Sequence, residues 1–441
     1  MVKAKLVPLY FKSGMDEDFK KQLLNLKNLL FDVAEIIEPV ALGEKLPDAD
    51  GVIFPQLIGD AFSQIEMLKK INIPIIIATS DFGTVNMWDW EIVAFMKTEG
   101  IDVFSPYSLE LTKIICKSLA LKRDLKKTKF LVYQDTPGVG GMQGEIFRRF
   151  YWWEDRYTEL LNRKFGVSLI KKSFKEMGAQ AKEISDKAVK EVIKNREINT
   201  EGLTDKALNS AVKIYIKIKE ELDKDEDIKG VGINCLNESF YSDSTPCLAW
   251  SMLYEDKRMI WSCEADTSAL MSMYLMNRVL DAKIMMSNIY PFLMGMAALK
   301  HERIDKFPEV KEDPQNCALI VHCGYFGVVP KPFCSSWTVR PKVLAIVDDN
   351  AIALDARFPE GDLTISKLDP TLEELMVIEG TLERYVQYPG SDCRNGALVR
   401  VPDGYKMMEL FNSHHNCFLV GKHKEGLKNL AKVFGLEIKT I

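Results

Sequence analysis

Five histidines occur in 441 residues, and two of them, His414 and His415, stand side by side at the mouth of an apolar run, FNSHHNCFLVG. Two further places set metal-competent side chains where an apolar strand runs out: Glu238 in LNESF, and Glu264 with Asp266 in CEAD. An ionised carboxylate beside an apolar interior is costly unless a cation pairs with it. Two carboxylates and one imidazole suit a divalent ion of the manganese type and leave coordination positions for water and substrate oxygens. Such a set is open, as catalytic metal sites are, rather than closed like a structural one. From spacing alone, the same residues also fit ordinary strand-end acids and a surface histidine pair. Of the remaining histidines, His322 in IVHCG reads as a core histidine or a support for a site, while His301 and His423 read as solvated.

The elements that must position these groups change character along the chain. In the first part, KAKLVPLYF, ADGVIFP, IPIIIATS and IDVFSPYS are short strand-like runs, with helical stretches such as FKKQLLNLKNLLFDV between them. Alternating strand and helix favours a parallel sheet. After the charged LKRDLKKTK, the run FLVYQ opens a second unit of the same kind. Its turn, TPGVGGMQGE, lacks the Gly-Lys-Ser/Thr ending of a phosphate-binding loop, and Gln143 stands where a dinucleotide fingerprint wants its third glycine. Gly138–Gly144 therefore reads as a tight turn, with a contact to substrate or its phosphate as the alternative.

Further on, Thr204 is placed to cap LTDKALNSAVKIYIKIKEEL, in which Leu208, Ala211, Val212 and Tyr215 recur at helical spacing. GVGINCLNESF and RMIWSCEAD read as strands, TPCLAWSMLYED and TSALMSMYLMNRVL as helices, the latter with methionines filling a core. Beyond about residue 315, NCALIVHCG, PKVLAIVDD, AIALDARF, GDLTISKL, ELMVIEGTLERY and GALVRVPD are short β-rich pieces, followed late by one helix, EGLKNLAKVFG. The expected architecture is α/β: two doubly wound, Rossmann-like domains over 1–127 and 128–258, then a β-rich, barrel-like domain over 259–441 that carries most of the metal site.

Composition removes several function classes. At 441 residues and 47% hydrophobic content, the chain should divide into two or three domains, each with its own core. A formal charge of −5 and the lack of any Lys/Arg block argue against a nucleic-acid partner. No run of about 18 apolar residues suggests a membrane helix, so no membrane partner is expected. MVKAKLVPLYFK alternates like a first strand and does not have the form of a secretory signal. The nine cysteines form no close CxxC pair, which points to buried free thiols in a reducing cytoplasm.

Larger segments carry a family likeness. TPCLAWSMLYEDKRMIWSCEADTSALMSMYLMNRVL, preceded by GVGINCLNES, resembles the core of the L-arabinose isomerase and L-fucose isomerase superfamily. NSHHNCFLVGKHKEGLKNLAKVFGLEIKTI resembles the end of arabinose isomerase, and IPIIIATSDFGTVNMWDWEIVAFMKTEG is similar to a segment of its N-terminal domain. The resemblance implies manganese, or another divalent cation, held by Glu238, by Glu264 or Asp266, and by His415, with His414, Phe82 and Trp88 as substrate contacts. It departs from arabinose isomerase where that family places a further ligand histidine; Asn288 and Tyr290 stand in that neighbourhood, and the set is closer to the fucose type.

The implied activity is interconversion of an aldose and a ketose through a cis-enediol, with Glu238, Glu264 and Asp266 serving as ligands and as general base and acid. The same groups would also suit a metal-dependent epimerase, or a hydrolase of a keto-sugar or cyclic polyol ketone. A sugar-binding protein without catalysis is the alternative from another class. The resemblance further implies a cytoplasmic homo-oligomer with active sites between subunits.

Overall fold

The computed structural model describes residues 2–57, 59–135, 155–235, 241–295, 309–322, 325–341, 349–387 and 395–441. The chain forms two compact units. One comprises residues 1–126 with 278–280 and 425–436, and the other comprises 127–277, 281–424 and 437–441. Residues 425–436 thus group with the first unit rather than with the strands on either side of them in sequence.

The first unit is built on β1 (Ala4–Tyr10), β2 (Ala34–Ile36), β3 (Val40–Ala41), β4 (Gly51–Phe54), β5 (Ile75–Ile77) and β6 (Val103–Phe104). All its pairings are parallel, in the order β2-β1-β4-β5-β6 with β3 also beside β1. Parallel strands need covered faces, and the central β4 and β5 are apolar throughout: Val52, Ile53, Phe54, Ile75, Ile76 and Ile77 are all buried. The helix Glu17–Leu29 starts where Asp16 accepts a hydrogen bond from the Phe19 N–H, and Glu17 and Asp18 favour its positive end.

The second unit joins two sheets. β7 (Lys129–Tyr133), β8 (Ser168–Lys172), β9 (Ile228–Ile233) and β10 (Ile260–Cys263) form a parallel sheet in the order β10-β9-β7-β8. The chain runs outward from β7 to β8 and returns to the other side of β7 at β9, so the strand order reverses there. A crevice outside the carboxyl ends of the strands at such a reversal is where open α/β sheets place ligands.

The other sheet is a closed six-stranded antiparallel barrel of β11 (Ile284–Pro291), β12 (Cys317–Val321), β15 (Gly361–Leu368), β16 (Glu374–Gln387), β17 (Asn395–Arg400) and β18 (His415–Val420). Its order is β15-β18-β11-β12-β17-β16, and β16 closes back onto β15. β19 (Glu437–Thr440) adds to β16 in parallel, and a separate hairpin pairs β13 (Ser336–Pro341) with β14 (Ile352–Arg357). Closure removes the unpaired edges that an open antiparallel sheet would expose.

The helix Thr267–Leu280 lies between the second parallel sheet and the barrel. On one side Tyr274 meets Phe130 of β7 edge to face, with ring centroids 5.6 Å apart. On the other, the Ser268 and Ser272 hydroxyls bond to the backbone of Leu368 at the end of β15. A helix covered on both sides must be apolar all round, and Met271, Met273 and Met276 are buried as core filler. Thr204 does cap the helix Asp205–Leu222. Its buried stripe runs through Ala207, Ala211, Val212, Ile214, Tyr215, Ile218 and Leu222, whereas Leu208 is only half-buried. Several elements have no counterpart in the sequence reading, among them strands β8, β11 and β13 and the helices Leu109–Asp124, Phe174–Lys182 and Gly404–Leu410, while most of PKVLAIVDD lies outside the described residues.

Candidate carboxylate–histidine site

β10 ends at Cys263, and the next two residues, Glu264 and Ala265, take left-handed backbone conformations with φ of 53° and 57°. Non-glycine residues there cost about 1–2 kcal/mol each, and such strain gathers at functional sites. The Ala265 N–H donates to the Ile233 carbonyl and the Asp266 N–H to that of Cys263, which locks the turn. Gly232 allows the close approach: a Cβ at that position would lie 2.8 Å from Ser262 Oγ and 3.3 Å from Ala265 Cα.

Asp266 then caps the helix Thr267–Leu280, its Oδ1 accepting from the Ala269 N–H at 2.8 Å. Its Oδ2 accepts from Lys367 Nζ at 2.9 Å and faces His415 Nδ1 at 3.0 Å. Because an ionised carboxylate can only accept, Nδ1 carries a proton. The other ring nitrogen, Nε2, faces Glu264 Oε1 at 3.6 Å. His415 opens β18 opposite Asn288 of β11, and its own N–H donates to Ser413 Oγ. Lys367, fully within the protein near the end of β15, is fixed by the turn that follows it, where Asp369 accepts from the N–H groups of Thr371, Glu373 and Glu374.

Charge explains how four ionisable groups share an enclosed space. Burial works against ionisation of Asp266, but the Lys367 ammonium and the His415 ring overcome it and hold the carboxyl well below the usual range. Burial likewise opposes the Glu264 charge, and His415 outweighs it, bringing the pKa down to about 2. Burial would strip His415 of its proton, yet Glu264 and Asp266 on either side raise its pKa to about 9. His414 stacks obliquely on His415, ring centroids 4.3 Å apart. Desolvation and the His415 charge both lower its pKa. The outer side of His414 remains exposed, so water screens much of that displacement.

Four sequence-identified residues, Glu264, Asp266, His414 and His415, therefore converge. Glu238 and Gly138–Gly144 lie outside the described residues, as does His301. Phe82 and Trp88 stand on the first unit, 77% and 83% exposed. Asn288 donates from Nδ2 to the Tyr290 hydroxyl at 3.2 Å. One further member, Lys367, was not picked out beforehand, whereas His322 had been read as a core histidine or a support for a site. Lys367 was hidden because a lysine in GDLTISKL reads as the polar side of an alternating strand. His322 is buried and its charge acts on Glu264, placing it among the groups that support the site.

Known protein families and curated proteins were compared with the chain, and none matches it. Among the described residues, no three His, Cys, Asp or Glu side chains form a metal-holding group. Nor does any described helix have the length and apolarity to cross a membrane. Cys116, Cys317, Cys334 and Cys417 are free cysteines, and burial pushes the Cys116 and Cys334 thiols up to about 12, far from a reactive thiolate.

Proposed function

We propose that this chain is a metal-dependent aldose–ketose isomerase acting through a cis-enediol, with manganese or a similar divalent cation as its cofactor. The observation that carries the reading is the hydrogen-bonded order Lys367–Asp266–His415, with Glu264 facing the far ring nitrogen. A carboxylate on one imidazole nitrogen, orienting the other toward a second carboxylate, is how metal-ligating histidines are held. Adjacent ligands about 2.1 Å from a cation lie about 3 Å apart, so the 3.6 Å separation of His415 Nε2 and Glu264 Oε1 suits two donors on one ion.

Asp266 is engaged by three donors and supports the site rather than ligating; Glu264 and His415 are the proposed ligands, with Glu238 the third. The cation would supply Lewis acidity toward two neighbouring oxygens of the open-chain sugar. Glu264 stays ionised across the working pH range, which fits it to accept a proton or to ligate. Glu238 is left as the group that returns the proton, and His414 as a contact to the sugar. The two parallel sheets are read as doubly wound, Rossmann-like units. Phe82 and Trp88 would reach the substrate from a second copy of the chain, in a cytoplasmic homo-oligomer.

The test is manganese binding by electron paramagnetic resonance, together with NMR of the loaded protein in D2O against pentoses, hexoses, deoxysugars and cyclic polyol ketones. The expected result is solvent deuterium at the carbon beside the carbonyl and an accumulating isomer. An epimer, or a new acid with water added, would move the same groups to epimerase or hydrolase chemistry. Glu264→Gln and His415→Asn should each abolish manganese binding and turnover, whereas Asp266→Asn should weaken binding about 10–100-fold. Unchanged binding and turnover in the first two variants would refute the reading. Binding lost as completely in Asp266→Asn as in Glu264→Gln would make Asp266 a ligand.

A further inference from the structure

Gln134 follows β7 directly and continues its ladder by one residue, its N–H donating to the Lys172 carbonyl. The residue is 7% exposed. Both polar atoms of its carboxamide are buried, and among the described residues neither has a hydrogen-bond partner. Leaving a buried polar group unsatisfied is costly, and nearly all such groups in folded proteins find partners. A whole carboxamide, with two donors and an acceptor, needs an explanation that the described residues do not supply.

Its position suggests one. Val132, Gly232 and Ser262 are register partners across β7, β9 and β10. Side chains alternate along a strand, so two residues further on the next row of that same face is Gln134 and Asn234, and at the same level Glu264 begins the left-handed turn that ends β10. Asn234 is fully buried and its N–H donates to the Tyr133 carbonyl, which carries the ladder to that level. Adjacent strands lie about 4.8 Å apart, placing the Gln134 backbone two strands, or about 10 Å, from that of Glu264. Three polar residues thus end three adjacent parallel strands, at the reversal of strand order where ligands bind.

We propose that the Gln134 carboxamide is a specificity-determining contact of this site, bonding as both donor and acceptor to one hydroxyl of a polyhydroxylated ligand. A hydroxyl has the matching pair of roles, whereas a carboxylate or phosphate could only accept. The inference rests on the isomerase reading for the class of ligand and adds to it the residue that distinguishes a sugar from its deoxy analogue. A site built to bond a hydroxyl discriminates strongly against a molecule lacking it, because its own polar group is then left unpaired.

The experiment is isothermal titration of the manganese-loaded full chain with pentitols, hexitols and their monodeoxy analogues, for the natural protein and for Gln134→Leu and Gln134→Glu. Leucine keeps the volume and removes the polar atoms, so it should fold, with a raised thermal midpoint. The expected result is a loss of at least about 10-fold in affinity for the best polyol in Gln134→Leu. The deoxy analogue missing the contacted hydroxyl should bind both proteins alike. Gln134→Glu, which keeps an acceptor, should fall between. If the natural protein binds polyols and Gln134→Leu binds them equally well, the inference is overturned while the isomerase reading stands, and the amide serves an internal water instead. If the natural protein binds manganese but no polyol, both are overturned. Equal losses for every polyol and every deoxy analogue would also overturn it, by showing a merely structural role.

Discussion

Replacing Lys367 by methionine tests the arrangement at a buried ion pair. The Lys367 side chain is 8% exposed and that of its partner Asp266 is 0% exposed, with 2.9 Å between Nζ and Oδ2. Removing one member of a buried pair leaves the other charge uncompensated and typically costs about 3–5 kcal/mol. Asp266 retains the Ala269 N–H and the His415 ring, so the loss belongs near the lower end, at about 3 kcal/mol. Trp250 and Trp261, buried in the same unit, report its unfolding in urea by fluorescence.

The double variant Asp266→Asn/Lys367→Met should be less destabilised than the sum of its parts by at least about 1–2 kcal/mol, since neither charge is then stranded. The pH dependence follows from the depressed Asp266 pKa. Its stabilisation is fully present above the ordinary carboxylate value of 3.8 and is lost as pH falls toward the lower folded value. The gap between the natural protein and Lys367→Met should therefore be full at pH 6 and shrink below pH 3.8. A single variant within about 0.5 kcal/mol of the natural protein, or strict additivity in the cycle, would refute the reasoning.

Gly232→Ala puts a methyl 2.8 Å from Ser262 Oγ and 3.3 Å from Ala265 Cα, and should cost about 1–3 kcal/mol in urea while weakening manganese binding through displacement of the Glu264 turn. Ala265→Gly relieves a left-handed alanine at φ 57° and should raise stability by about 0.5–1 kcal/mol, after allowing for the greater freedom of glycine when unfolded; a loss would show that the turn is unstrained. Glu221, bonded first to Lys172 and then to Lys224, has its pKa lowered from 4.5 to about 2. Its contribution, on the order of 1–2 kcal/mol after solvent screening, is present above pH 4.5 and lost on the way down to pH 2. Glu221→Gln should thus differ from the natural protein at pH 6 and converge with it in acid, as read from urea midpoints.

Much of this architecture was legible because it follows from local rules. Several strands of the parallel sheets announce themselves as unbroken apolar runs, as IPIIIATS does at β5, since a strand covered on both faces has no polar side to show, whereas the exposed SLIKK of β8 gives no such signal. Thr204 and the apolar spacing after it mark a helix for the same local reason, a capping hydroxyl and a 3.6-residue period. Glu264 and Asp266 were visible as charges where an apolar strand ends, and His415 as a histidine where another begins.

Tertiary structure alone decided what those charges do. Residues 149 apart in sequence, Asp266 and His415, meet because a helix start and a barrel strand pack together, and no spacing rule reports that distance. Lys367 was silent in the sequence because a lysine on an alternating strand looks solvated; only burial against Asp266 turns it into a partner. The helix Lys424–Phe434 illustrates the same limit, since its amphipathic pattern reveals an apolar face while residues 425–436 belong to the unit begun more than 300 positions earlier. Sequence fixes period, capping and polarity, which are local; the choice of partner depends on packing across long loops, which is not.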